Sequence, residues 1–297
     1  MAFNWQTFNT RALTALVFVA VMLAGLLLNH WSFFLLFSVI HFGCWWEYFK
    51  LTEKNYQTGF HIYTKLGFML LGYGLMLWFC GDIFQVGTYL LRDNFSMPVS
   101  VAGFILTIIG IFRQGPLHLH AFGAALLGIF YISMSWGMMM SLYPATDLVF
   151  RDSYFVFKAG FLPILIIAAI WINDTMAYIV GSLIGKTPLS KVSPKKTWEG
   201  TIGGILLSVV VTGLLLPRIY FGKNDTPLFM FAGAIALIAA ITGTAGDLLE
   251  SKLKRLAGVK DSGSIMPGHG GFLDRFDSLL IAVPFVWGFI QLINNQA

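Results

Sequence analysis

The chain has 297 residues, 57% of them hydrophobic and 11% charged, with a mean hydropathy of +0.75. Soluble domains carry about 25% charged residues, so a soluble enzyme is excluded and an integral membrane protein is indicated. The formal net charge of +5 informs mainly through its placement along the chain.

An apolar stretch of about 18 residues is long enough to cross a bilayer as a helix. Nine such runs are predicted, near 12–28, 31–48, 65–81, 99–113, 121–143, 155–174, 201–217, 228–245 and 278–293. The expected fold class is all-α, a polytopic membrane protein with about nine transmembrane helices. The fourth run is short and ends at Arg113; the sixth continues past Asp174 toward Gly185, which makes it long or broken. The first run follows Arg11 without a small-residue cleavage site, and "GLLLNHWSFF" leads straight into the second. It reads as an uncleaved first span. Cys44 and Cys80 lie in or beside apolar runs, where packing is their expected role.

With nine spans and the N-terminus inside, most of the 19 Lys and Arg residues fall on the inner side. Lys186, Lys191, Lys195 and Lys196 share one inner segment; Lys252, Lys254, Arg255, Lys260 and Arg275 share another. The positive-inside rule therefore predicts N-in, C-out, with both polar segments on the cytoplasmic face.

Residues 1–149 read as a transmembrane scaffold and residues 150–297 as a catalytic half with cytoplasmic polar loops. Within the scaffold, Glu47 in "CWWEYFKL" reads as an interfacial carboxylate beside an aromatic belt. His41, in the same span, reads as a packed or interfacial histidine.

Ionisable residues in apolar segments are costly and mark function by default. In "WINDTMAYIVGSLIGKTPLSKVSPKKTWEGTIGG", Asp174, Tyr178 and Gly181 fall on one helix face. Gly181 and Gly185 form a small-xxx-small pair, a close-packing signal. Ser193, Lys195, Lys196 and Thr197, around Pro194, offer the hydroxyls and ammonium groups that a polyphosphate needs. As an isolated run they also fit a topology signal or a contact with anionic headgroups.

The second polar stretch is "TGTAGDLLESKLKRLAGVKDSGSIMPGHGGFLDRFDS". Asp247, Glu250 and Lys254 fall at i, i+3 and i+7, with Ser251 at i+4, on one side of a helix leaving the membrane; "AGVKDSGS" follows as a flexible loop. Gly270 and Gly271 let backbone approach a bulky anion. Asp274 and Asp277 stand one helical turn apart at the entrance to the last run. Carboxylates without cysteines suit Mg²⁺, which takes one or two carboxylates plus phosphate oxygens. His269 has no second His or Cys at zinc spacing and reads as a phosphate hydrogen-bonding group. Neither a phosphate-binding "GxxxxGK[ST]" loop nor a nucleophile elbow is present. Phosphoryl or nucleotidyl transfer is the chemistry these residues fit.

The segment 251–277 closely resembles the signature of CDP-diacylglycerol synthases (phosphatidate cytidylyltransferases). It is matched here by Ser251, Lys254, Arg255, Lys260, Asp261, His269, Gly270, Gly271, Asp274, Arg275 and Asp277. Met266 stands where the family usually has Leu, Ile or Phe. "NDTMAYIVG" (173–181) and "SPKKTWEG" (193–200) also look like family motifs, in the expected order. The resemblance implies CMP transfer from CTP to phosphatidate, giving CDP-diacylglycerol and pyrophosphate, with magnesium and a second cation. It implies a two-cation centre at Asp247 and Asp274, with Lys195, Lys196, Lys254, Arg255, Lys260 and Arg275 binding phosphates. It further implies a homodimer in a lipid bilayer, most simply a bacterial inner membrane with the site facing the cytoplasm, and no nucleic-acid partner. The alternatives are a CTP-dependent lipid kinase of the polyprenol or phytol type, which attacks a different phosphorus, and a transporter with a path through Asp174, Asp247 and Asp274.

Overall fold

The computed structural model describes residues 5–116, 118–144, 146–150, 153–222, 226–264 and 270–294. The protein is an all-α polytopic membrane protein. Its helices are α1 (Trp5–Leu27), α2 (His30–Tyr56), α3 (Ile62–Trp78), α4 (Ser96–Arg113), α5 (Leu119–Gly128), α6 (Ser135–Ser141), α7 (Phe161–Ile184), α8 (Trp198–Phe221), α9 (Thr226–Leu256) and α10 (Leu273–Asn294). Two short antiparallel hairpins interrupt them: β1 (Gln85–Val86) with β2 (Tyr89–Leu90), and β3 (Thr146–Phe150) with β4 (Ser153–Phe157).

Among the described residues, six helical segments are long and apolar enough to cross a membrane: Leu91–Arg113, Leu119–Ser141, Phe161–Ile184, Trp198–Leu215, Thr226–Leu256 and Leu273–Asn294. Two further apolar helices, Leu13–Leu27 and Ile62–Trp78, are shorter. α2 has 27 residues, but Glu47, Lys50, Glu53 and Lys54 charge its second half. The exposed side chains of these helices include Phe104, Ile105, Leu183 and Leu206, each more than half accessible; such surfaces suit lipid, not water.

Two expectations need correction. The fourth run is not short: a π-helical turn, Leu91–Phe95, feeds α4, so the helix is continuous from Leu91 to Arg113. The sixth run does not begin at 155. Residues 153–157 form β4, and Gly160, at φ +83°, turns the chain into α7, which continues past Asp174 to Ile184. Phe155 and Phe157, two residues apart, are both buried while Tyr154 and Val156 are exposed. That alternation is a strand's period, not a helix's.

The chain divides into two compact units. The first comprises Met1–Ser141 and Leu253–Phe276. Its core is aromatic: Phe33, Phe37, Trp45, Phe49, Phe68 and Trp136 are almost wholly buried. His41 is also fully buried, its Nε2 2.9 Å from Ser133 Oγ, which also accepts from Trp45 Nε1 at 2.8 Å. It is a packed histidine, as its setting in the sequence implies. Cys44 and Cys80 are buried and not joined in a disulfide. The segment before α10 docks on α2, where a Cβ on Gly43 would lie 2.3 Å from the Phe272 ring.

The second unit comprises Leu142–Lys252 and Asp277–Ala297. Here α7 and α8 meet over small residues. A Cβ on Gly200 would fall 2.7 Å from the Ala177 carbonyl oxygen and 2.9 Å from Gly181 Cα. α9 approaches α10 the same way: a Cβ on Gly246 would lie 2.6 Å from the Asp277 carbonyl oxygen. Such contacts admit no side chain without moving backbone. Gly200→Val is therefore expected to destabilise the protein by about 1–3 kcal/mol, read as a lowered melting temperature in detergent. An unchanged melt would mean that the α7–α8 contact is looser than described.

Candidate active site

The second unit builds the first polar cluster around a cavity of 540 Å³. It is lined by Asn173, Asp174, Tyr178 and Gly181 of α7, by Ser193, Lys195, Lys196 and Thr197 of the α7–α8 connection, and by Thr201, Thr244 and Asp247. The connection is a fastened strap. Leu189 N donates to Lys196 O at 2.7 Å, and Trp198 N to Thr187 O at 2.9 Å. The Glu199 carboxylate accepts from the backbone N–H groups of Lys186 and Thr187 and from Thr187 Oγ1 at 2.8 Å. Thr197 caps α8, its hydroxyl accepting from Gly200 N at 3.1 Å, so that oxygen already has a structural partner.

The strap carries Lys196 to Asp247, with Nζ donating to Oδ2. The other Asp247 oxygen lies 3.3 Å from Ser251 Oγ, one turn along α9. Asp174 and Asp277 also lie within electrostatic reach of Asp247 and Lys196. Three carboxylates and two ammonium groups thus share the neighbourhood of one cavity. Asp277 is nearly buried, with Oδ1 taking the Ser278 N–H at 2.6 Å. Glu250 is wholly buried.

The first unit builds the second cluster. Lys254 Nζ sits 2.6 Å from Asp274 Oδ1, with the two side chains 12% and 7% accessible. Asp274 Oδ2 accepts from Ser262 N and Gly271 N, both at 2.8 Å, and lies 2.9 Å from Ser262 Oγ. Gly270 has φ +86°, and a Cβ there would lie 2.5 Å from Asp274 Oδ2, so glycine is needed on both counts. Ser262 also contacts Glu47 of α2: Oγ to Oε2 is 2.7 Å, and Leu273 N donates to the same oxygen at 3.0 Å.

Among the sequence-predicted residues, Asp174, Ser193, Lys195, Lys196, Thr197 and Asp247 therefore line one cavity, with Ser251 and Asp277 beside Asp247. Lys254, Gly270, Gly271 and Asp274 form the other cluster. Arg255 turns to its own loop, Nη1 to Val259 O at 3.1 Å. Lys260 and Asp261 are exposed, and Asp261 lines a separate 410 Å³ cavity of the first unit with Lys50 and Lys54. Arg275 is exposed on the first turn of α10. His269 and Met266 lie outside the described residues.

Two site residues escaped the sequence reading. Ser262 falls in the stretch expected to be a flexible loop, yet it is buried and bonded on three sides. Glu47 is 1% accessible, not interfacial. Its one sequence signal was a charge inside an otherwise apolar run.

Among the described residues the donors at both aspartates are oxygens of carboxylates and hydroxyls, with no thiolate or imidazole in contact. Each aspartate already presents one oxygen to an ammonium group. Among the described residues no three His, Cys, Asp or Glu side chains converge as a complete ligand set. Magnesium tolerates this, because it keeps waters and takes phosphate oxygens alongside one or two carboxylates. The residues fit such a cation bound together with a phosphate.

Comparison with known proteins points the same way. The family model described as "Cytidylyltransferase family" matches residues 9–293. A phosphatidate cytidylyltransferase of Staphylococcus haemolyticus (strain JCSC1435) is 48% identical over 118 residues, 39% of this chain and 44% of the relative. One from Synechocystis sp. is 44% identical over 141 residues, 46% of each. The chloroplastic phosphatidate cytidylyltransferase 4 of Arabidopsis thaliana is 31% identical over 216 residues, 67% of this chain and 53% of the relative. The chain spans about half the length of the curated relatives it matches. With the family model covering nearly all of the sequence, the chain belongs to the cytidylyltransferase family.

Proposed function

We propose that this protein is a phosphatidate cytidylyltransferase, moving CMP from CTP onto phosphatidate to give CDP-diacylglycerol and pyrophosphate. The observation that carries the reading is the 540 Å³ cavity, which Lys195 and Lys196 line together with Asp174 and Asp247 among six hydroxyl side chains. Names of relatives support it: those cited are phosphatidate cytidylyltransferases.

The reaction joins two anions, so charge is the main barrier. An ionised phosphate oxygen of phosphatidate attacks the α-phosphorus of CTP, and the bond to the bridging oxygen of the β-phosphate breaks. Phosphate is already nucleophilic, so the chain need not supply a strong base. Lys195 and Lys196 would bind and neutralise phosphate oxygens, and Lys254 would do so at Asp274. Ser193 would donate a hydrogen bond to a phosphate oxygen. Asp247 and Asp274 would hold magnesium, which when bound withdraws charge from the phosphate oxygens it touches. Arg275, exposed at the start of α10, would meet a headgroup. The chain works in the bilayer as a homodimer in this reading, with its polar segments on the cytoplasmic side, the face the positive-inside rule selects.

The test is direct. Purified protein in nanodiscs is given phosphatidate, magnesium and CTP labelled at either the α- or the γ-phosphate, and the lipid is recovered for mass spectrometry. Label from the α-position in a CDP-lipid supports the proposal. Label from the γ-position would establish a lipid kinase instead, and ion flux in liposomes without any lipid product would establish a transporter.

A further inference from the structure

We infer that Glu47, on α2 and far from the signature in sequence, is a positioning residue that shapes the loop presenting Asp274; its link to catalysis rests on the function proposed above.

Glu47 and Gly43 are i and i−4 on one face of α2, and that face receives Ser262, Gly263, Gly271, Phe272 and Leu273. Glu47 Oε2 accepts from Ser262 Oγ and from Leu273 N, thereby tying the two ends of the loop to one atom. Both flanking glycines are cut to the shape of this carboxylate. A Cβ on Gly263 would lie 2.1 Å from Glu47 Oε1, and one on Gly271 would lie 2.1 Å from Oε2. Gly43 leaves the room that Phe272 fills. A carboxylate with 1% of its surface accessible is expensive to keep in an apolar helix. Among the described residues no cation lies within ion-pair distance of it, so its partners are the loop's own donors.

The consequence reaches Asp274 through Ser262. The serine hydroxyl has one proton and lies near two carboxylates, Glu47 at 2.7 Å and Asp274 at 2.9 Å. It serves one of them at a time. Asp274 Oδ2 already takes two backbone N–H groups, and the shorter contact assigns the proton to Glu47. Glu47 thus orients Ser262, whose own N–H, with that of Gly271, orients Asp274 while Oδ1 stays with Lys254.

Hydrogen exchange on the protein in nanodiscs, without ligands, tests the positioning itself. In Glu47→Ala, amides of 260–264 and 270–275 should exchange about tenfold faster or more, because both loop ends lose their anchor. Glu47→Gln, which retains an acceptor oxygen, should stay near the parent. Where the parent makes CDP-lipid, Glu47→Ala should lose about thirtyfold in kcat, with KM for CTP within twofold and a raised magnesium requirement. Glu47→Gln should restore most of that loss. Parental exchange in Glu47→Ala overturns the inference, as does a Gln variant that exchanges as fast as the Ala variant. Should Glu47→Ala fail to fold, Glu47→Asp, one methylene too short, stands in with the same expectations. A parent that makes no CDP-lipid refutes the proposed function, and the exchange result still decides the role of Glu47.

Discussion

Asp247→Asn is expected to slow CMP transfer by about a thousandfold or more while leaving the melting temperature within a few degrees of the parent. The two halves of that expectation have separate physical grounds. The Lys196 and Asp247 side chains are 31% and 25% accessible, so solvent screens their attraction, and such pairs contribute about 0–1 kcal/mol to stability. Asparagine has the same shape and can still bond to Ser251. The fold should hardly register the change. The reaction should register it strongly, because the charge that would hold a cation against the phosphates is gone. Lys196→Ala should complement this, raising KM for CTP by tenfold or so as one phosphate contact is lost. Initial rates with labelled CTP and a melt on the same preparation measure both quantities. Turnover close to normal in Asp247→Asn would remove Asp247 from the chemistry.

Hydropathy and length were enough to locate the helices, since each apolar run is helical over most of its length, and the start of the sixth is the one place where a strand takes over. That exception is instructive. "SYFVF" at 153–157 is apolar on average, and only its alternating burial separates a strand from a helix entrance. The onset of α4 was hidden differently: "LRDNF" reads as polar loop, yet it forms one π-helical turn that prolongs the helix. At the site, spacing carried what is local. Asp247 and Ser251 lie one turn apart on α9, and the "SPKKTWEG" residues arrive together on one strap. Long-range pairings left no such mark. Ser262 and Glu47 are 215 residues apart, and no periodicity encodes their contact. A serine beside Gly263 looks like slack chain until the carboxylate lying against both Gly263 and Gly271 is seen. For Thr197 the structure adds an N-cap bond from Gly200 N that the phosphate reading did not include.

The Lys254–Asp274 pair should behave unlike Lys196–Asp247, because burial changes which effect dominates. Its side chains are only 12% and 7% accessible. Removing one partner from a buried pair leaves an uncompensated charge and costs about 3–5 kcal/mol. In Asp274→Asn the amide oxygen can still accept from Ser262 N and Gly271 N. The amide nitrogen then faces the Lys254 ammonium, donor against donor. This variant is expected to lose stability by about 3 kcal/mol and product formation essentially completely. The two losses separate in the double variant Lys254→Met, Asp274→Asn. Replacing both charges with groups of similar volume relieves the stranded ammonium, so most of the stability should return. Activity should not, because neither the carboxylate nor the ammonium is restored. Melting curves and rates on the parent, the single and the double variants settle the matter. A double variant that regained turnover along with its melting temperature would show that Asp274 supports the fold alone and has no part in transferring CMP.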